Sequence, residues 1–119
     1  MATDKKTIGI SSSNSAGLTA LTAAGHFASE LDAAKFAMAH AVKSGVRPGS
    51  TESSETKWNV GSVDPDGSLR SLIEALFPDA TEPYRAIEFF MNEGIRDLTS
   101  RPGSTADLYS ALFPKSAAA

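Results

Sequence analysis

Chemistry needs groups that hold protons, metals or charge, and this chain offers few of them. Its two histidines, His26 and His40, stand 14 residues apart, which is not the spacing of an HExxH pair binding zinc from one helix face. His26 falls instead at a predicted helix C-terminus, where a partial positive charge is favourable. Asp64 and Asp66 flank Pro65 ahead of Gly67. A calcium loop would need more oxygen ligands and a closing bidentate glutamate, so both aspartates read as turn formers. With no cysteine in the chain, thiolate ligands, cysteine nucleophiles and disulfides are excluded together. Neither a glycine-rich phosphate cradle with its lysine nor a GxSxG elbow is present. The expectation is a protein that is not an enzyme and takes no cofactor and no metal.

The basic residues are the remaining candidates. Lys5, Lys6, Lys35, Lys43 and Arg47 form a candidate nucleic-acid-binding set, on the condition that the N-terminal extended segment and the end of the second helix lie together. Net charge is −3, from 11 basic against 14 acidic side chains, whereas a protein held to DNA by bulk electrostatics is usually basic. Any such surface must therefore be local or gathered by an oligomer. It is expected in the first half, where residues 1–60 carry six Lys/Arg against five Asp/Glu. Arg85 and Arg96 share a predicted helix with Glu88, Glu93 and Asp97, and that face reads as salt-bridged.

These groups sit on elements that the pattern allows to be placed. A chain of 119 residues with 41% hydrophobic and 21% charged side chains has the balance of one globular domain. Thr7 to Ile10 alternate as a short strand with Ile8 and Ile10 on one face. Such a strand needs a mate, so it either pairs with a second copy across a two-fold axis or remains an extended arm. Ser11 to Ser15 open a first helix that carries Leu18, Leu21 and Thr22 and stops at Gly25. Ser29 with Asp32 opens a second helix to about Ser44, with Gly45 as its stop. Its stripe is Leu31, Ala34, Met38, Ala41 and Val42, and its six alanines between Ala28 and Ala41 permit close backbone approach.

Residues 46–60, rich in Ser, Thr, Glu and Gly, read as a long loop, with Trp58 packing onto the core at its end. After the Asp64–Gly67 turn, Ser68 is expected to cap a helix with Leu69, Leu72, Ile73, Leu76 and Phe77 facing inward. Thr81 and Pro83 start a longer helix to about Ser100, with Tyr84, Ile87, Met91, Ile95 and Leu98 as its stripe. Gly94 inside that stripe costs roughly 1 kcal/mol against alanine and so signals tight packing. Ser104 and Asp107 repeat the capping pattern before Leu108, Tyr109, Leu112 and Phe113. Residues 1–4 and 115–119 are expected to be disordered. The segment GSLRSLIEALFP, 67–78, is echoed by GSTADLYSALFP, 103–114. Similar helix start and stop chemistry accounts for most of that match. The fold class is therefore mainly α, a compact bundle of about five helices with a short N-terminal extended segment or strand.

Two resemblances follow from this order. Extended segment, helix, Gly turn and capped helix over residues 5–45 resemble a ribbon-helix-helix protein, which implies a transcriptional repressor whose paired strands lie in the major groove. TIGISSS, the Ala-rich helix ending at Gly45, GSLRSLIEALFP and YRAIEFFMNEGIRDL are similar to the small E subunit of bacterial DNA sulfur modification (phosphorothioation) systems. That resemblance implies a helical homo-oligomer working with other protein subunits and DNA in a modification and antiviral defence assembly. The expected function is a non-catalytic, DNA-associated accessory subunit, the alternative being a protein–protein adaptor without nucleic-acid contact. No h-region and no span of roughly 20 apolar residues is seen, so no membrane association is expected and the predicted location is cytoplasmic.

Overall fold

The computed structural model describes residues 4–51 and 54–100. The expected 104–113 helix and the expected disorder at residues 1–3 and 115–119 lie outside them. Strand β1 (Thr7–Ser11) leads into helix α1 (Ser12–Leu21) and a wide π-helical turn at Thr22–His26, followed by α2 (Glu30–Lys43). Strand β2 (Ser54–Asn59) comes next, then the short α3 (Val60–Val63), α4 (Ser68–Leu76) and α5 (Pro83–Thr99). The architecture is mainly α with a short N-terminal strand, as the patterning predicts; that strand belongs to a two-stranded sheet.

The stop signals act as expected. Gly25 and Gly45 take φ of +82° and +89°, the left-handed conformation that glycine adopts without penalty. At the end of α2, Gly45 N–H donates to the Val42 carbonyl and Val46 N–H to the Ala41 carbonyl, both at 3.1 Å, which satisfies carbonyls the helix would leave orphaned. At its start, Ser29 Oγ accepts from Asp32 N–H at 3.1 Å.

The core forms where α2 crosses α5, the most extensive packing between elements. Ala33, Ala34, Ala37, Met38 and Ala41 of α2 are buried against Ile87, Phe90, Met91, Ile95 and Leu98 of α5. The alanine stripe lets the two backbones approach, and Gly94 marks the nearest point. A methyl group there would lie 2.5 Å from the Ala37 carbonyl carbon, so only glycine fits.

Several expectations are corrected. Residues 46–60 are not one loop: Ser54–Asn59 form β2, which pairs antiparallel with β1 from Thr7↔Asn59 to Ser11↔Ser54. The mate of β1 is therefore in its own chain. The register shifts between Ile8 and Gly9 because Ile8 faces Trp58 while Gly9 faces Thr56. Lys57 is the extra residue, and the bulge tightens the local twist. Trp58, opposite Ile8, is half-buried against the core.

Asp4 is not frayed. Its carboxylate accepts from Tyr84 N–H at 2.9 Å and Arg85 N–H at 3.1 Å, capping α5 at the end where the helix dipole favours negative charge. Finally, Ser68 does not cap α4. Asp64, 5% exposed, accepts from Leu69 N–H at 2.9 Å and Arg70 N–H at 3.0 Å, while Asp66 accepts from Ser68 N–H at 3.0 Å. A carboxylate is the stronger acceptor for those orphan donors. The inward stripe of α4 is narrower than expected, because Ile73 is buried but Leu72 and Leu76 are not.

Candidate nucleic-acid interface

The junction of β1 with α5 decides which of the candidate cations are available. A strand paired on one side leaves N–H and C=O groups exposed on the other, and here α5 supplies side chains to meet them. Gly9 N–H donates to Glu88 Oε2 at 2.7 Å. One turn further along α5, Asn92 Nδ2 donates to the Gly9 carbonyl at 3.1 Å, and Asn92 Oδ1 accepts from Ser11 N–H at 2.8 Å. Asn14, at the start of α1, donates to both the carbonyl and the side-chain oxygen of Asn92 at 3.1 Å. Glu88 and Asn92 thus stand in for a third strand over Gly9 to Ser11.

Glu88 is fully buried, and burying a carboxylate is costly unless charge and hydrogen bonds compensate it. Lys5 Nζ lies 3.2 Å from Oε2, and Ser54 Oγ donates to the same oxygen at 3.2 Å. Oε1 has no hydrogen-bond partner among the described residues, so the Lys5 charge carries much of the compensation. Lys5, its side chain 21% exposed, therefore already has a carboxylate partner within the protein.

The other cations divide cleanly. Lys57 pairs with Glu30 at 2.8 Å and sits 5.7 Å from the centroid of the Trp58 ring. That contact holds the Glu30 carboxyl below its usual range, chiefly through the Lys57 hydrogen bond. Arg70 pairs with Glu74 at 3.3 Å, Arg85 with Glu82 at 3.0 Å, and Arg96 with Glu93. The α5 arginines are salt-bridged as expected, but Glu88 and Asp97 serve other partners. Lys6, Lys35, Lys43 and Arg47 are left without an ion pair among the described residues.

These four are not gathered at one point. Lys43 ends α2 and Arg47 follows the Gly45 turn, so that turn carries two of them. Lys35, two turns earlier on α2, lies within electrostatic reach of Asp66, whose carboxyl is held below its usual range mainly by backbone hydrogen bonding from Ser68. Lys6 is exposed at the start of β1, its carbonyl accepting from Val60 N–H at 3.0 Å.

The titratable residues considered for chemistry serve packing. His40 Nε2 meets Asp97 Oδ2 at 2.6 Å, joining α2 to α5 beside a groove of about 560 Å³ bordered by Ser44, Val46, Glu93 and Arg96. His26 is exposed at the end of the wide turn. Tyr84 Oη donates to Asp64 Oδ2 at 3.0 Å, and burial with that bond pushes the phenol above its ordinary value. Among the described residues no three His, Asp or Glu gather as a metal site, and no helix is long and apolar enough to cross a membrane.

Sequence reasoning missed Asp4, Asn14, Glu88 and Asn92. A signal for two of them was available, because Glu88 and Asn92 stand four apart beside Ile87 and Met91 on the buried stripe of α5. No family model matches this chain, and no match is found among curated proteins or solved structures.

Proposed function

We propose that the protein is a non-catalytic, DNA-associated accessory subunit of a bacterial DNA-modification and defence assembly, contacting the phosphate backbone through Lys6, Lys35, Lys43 and Arg47. One observation carries this reading. Of the described cations, Lys5, Lys57, Arg70, Arg85 and Arg96 all have carboxylate partners, and those left over belong to the set singled out by position. Lys6, Lys43 and Arg47 are exposed and Lys35 is half-buried, and cations without an ion pair are free to neutralise phosphates and release counterions. The resemblance of the chain's segment order to the small E subunit of DNA phosphorothioation systems supports the modification assembly as the setting. A ribbon-helix-helix repressor would need an open β1 edge, whereas here one edge pairs with β2 and the other is met at Gly9 and Ser11 by Glu88 and Asn92.

The test is a salt titration of affinity for duplex and single-stranded DNA. Replacing Lys6, Lys35, Lys43 and Arg47 together by alanine should flatten the slope of log K against log salt by about 0.9 per lost duplex contact. Replacing the ion-paired Lys57 and Arg70 should leave it unchanged. Equal slopes in the two variants, or no binding at low salt, would refute the proposal. The second reading, a protein–protein adaptor without nucleic-acid contact, is favoured by one specific feature: Leu72 and Leu76 on α4 are 46% and 49% exposed.

A further inference from the structure

The ladder leaves one edge of β2 open. Gly9 gives its N–H to Glu88 and its carbonyl to Asn92, so its pairing with Thr56 is the kind that carries no ladder hydrogen bonds. In an antiparallel ribbon the backbone groups of both residues of such a pair point away from the neighbouring strand. Those of Gly9 meet α5. Those of Thr56 face the opposite side, where they find no hydrogen-bond partner among the described residues. Glu55, Thr56 and Lys57 are all exposed along this edge, and free N–H and C=O groups in a row are a template for another strand.

We propose that this edge pairs with the same edge of a second copy, antiparallel across a two-fold axis at Thr56, joining two ribbons into one four-stranded sheet. The occupant is chosen by charge, because SETKWN is complementary to itself. An axis at Thr56 sets the two Thr56 residues opposite each other, where they exchange both N–H···O bonds, and sets Glu55 of each copy opposite Lys57 of the other. The two charges emerge on the same face of the ribbon: Glu55 lies opposite Ile10, while Lys57 reaches over the ring of Trp58, which lies opposite Ile8. Opposite charges facing across antiparallel strands are favourable, and like charges are not.

Glu55 has no ion pair among the described residues, and Lys57 keeps 33% of its side chain exposed while it holds Glu30, so its ammonium can take a second carboxylate. The same rule fixes the register. An axis at Glu55 would set Glu55 against itself, and like charges directly opposite are destabilising. Since α5 side chains meet the far edge of β1 over Gly9 to Ser11, the sheet ends at four strands and assembly stops at two copies. Pairing puts the unpaired cations of two chains on one particle, yet it needs no nucleic acid, so this inference and the proposed function fail separately.

Sedimentation velocity of the full chain without DNA tests it. The unaltered protein should pass from one copy to two between about 10 µM and 1 mM, the range of a small interface, with salt weakening the association. Glu55→Lys and Lys57→Glu should each weaken it by about tenfold or more, and the double exchange Glu55→Lys/Lys57→Glu should recover it by restoring opposite charges across the axis. Thr56→Pro removes the central donor, which β1 does not use, so association should vanish while the urea midpoint read by Trp58 fluorescence stays near that of the unaltered protein. A single copy at every concentration would overturn the proposal, as would a folded double exchange that fails to recover association. Association that survives Thr56→Pro but is lost in Leu72→Glu/Leu76→Glu would also overturn it, moving the contact to α4.

Discussion

Replacing Gly94 by alanine probes the contact on which the core depends. The new methyl would lie 2.5 Å from the Ala37 carbonyl carbon and 3.0 Å from its Cα, and closer still to the carbonyl oxygen. Comfortable carbon contacts begin near 3.5 Å, so α2 and α5 must separate by about 1 Å at their crossing. Overpacking typically costs 1–3 kcal/mol. The obstruction here is helix backbone, which cannot swing aside, so about 3 kcal/mol is expected. Alanine returns about 1 kcal/mol of helix propensity over glycine, leaving a net loss of about 2 kcal/mol.

Equilibrium urea unfolding followed by the fluorescence of Trp58, the one tryptophan, measures this directly. The midpoint should fall with the slope unchanged, and Tm should drop by roughly 8–16 °C. Gly61→Ala is the control, because nothing lies within 4 Å of a methyl there and its stability should hold or rise. Ala37→Gly should not rescue Gly94→Ala, because the obstructing carbonyl remains. If Gly94→Ala matched Gly61→Ala within about 0.5 kcal/mol, a margin typical of surface substitutions, the close crossing of α2 and α5 would be refuted.

Two further outcomes follow from the polar contacts. Glu88→Ala leaves Gly9 N–H and Lys5 without their acceptor, and removing one partner of a buried pair costs about 3–5 kcal/mol. Lys5 retains partial access to water, so a loss near 3 kcal/mol in denaturant unfolding is expected, with β1 amides losing exchange protection before those of α2. Tyr84 has a raised folded pKa, so its contribution is fully present below the unfolded value of about 10 and is lost as pH rises through the higher folded one. Tyr84→Phe should be less stable at pH 7 by roughly 1.5–3 kcal/mol, the usual range for a hydrogen bond to a charged group, with a shallower fall in stability above pH 10.

The four longer helices α1, α2, α4 and α5 were legible because each announces itself locally, whereas the short α3 was not. Ser29 with Asp32, Gly25, Gly45 and Pro83 mark helix ends, and the α5 stripe from Ile87 to Leu98 repeats at helical spacing. Strand β2 was not legible, because SETKWN buries no residue fully and lacks the alternation that a half-buried strand usually shows. It is held by hydrogen bonds to β1 and by Trp58, not by an apolar face of its own. Gly94 signalled a close approach without naming Ala37, since a glycine's neighbour is a matter of tertiary geometry. For the cations, type and position could be read but pairing could not. Lys5 and Lys6 look alike in sequence, yet one neutralises a buried glutamate and the other faces water.

The use of α5 side chains to complete the sheet also orders events in time. A two-stranded ribbon is only marginally stable on its own, and the groups that finish β1 come from Glu88 and Asn92, about 80 residues downstream. During synthesis the first strand emerges long before the helix that closes its edge, and until then its backbone donors can turn only to water or to β2. Strand β1, made before α5, is thus among the last parts to be locked.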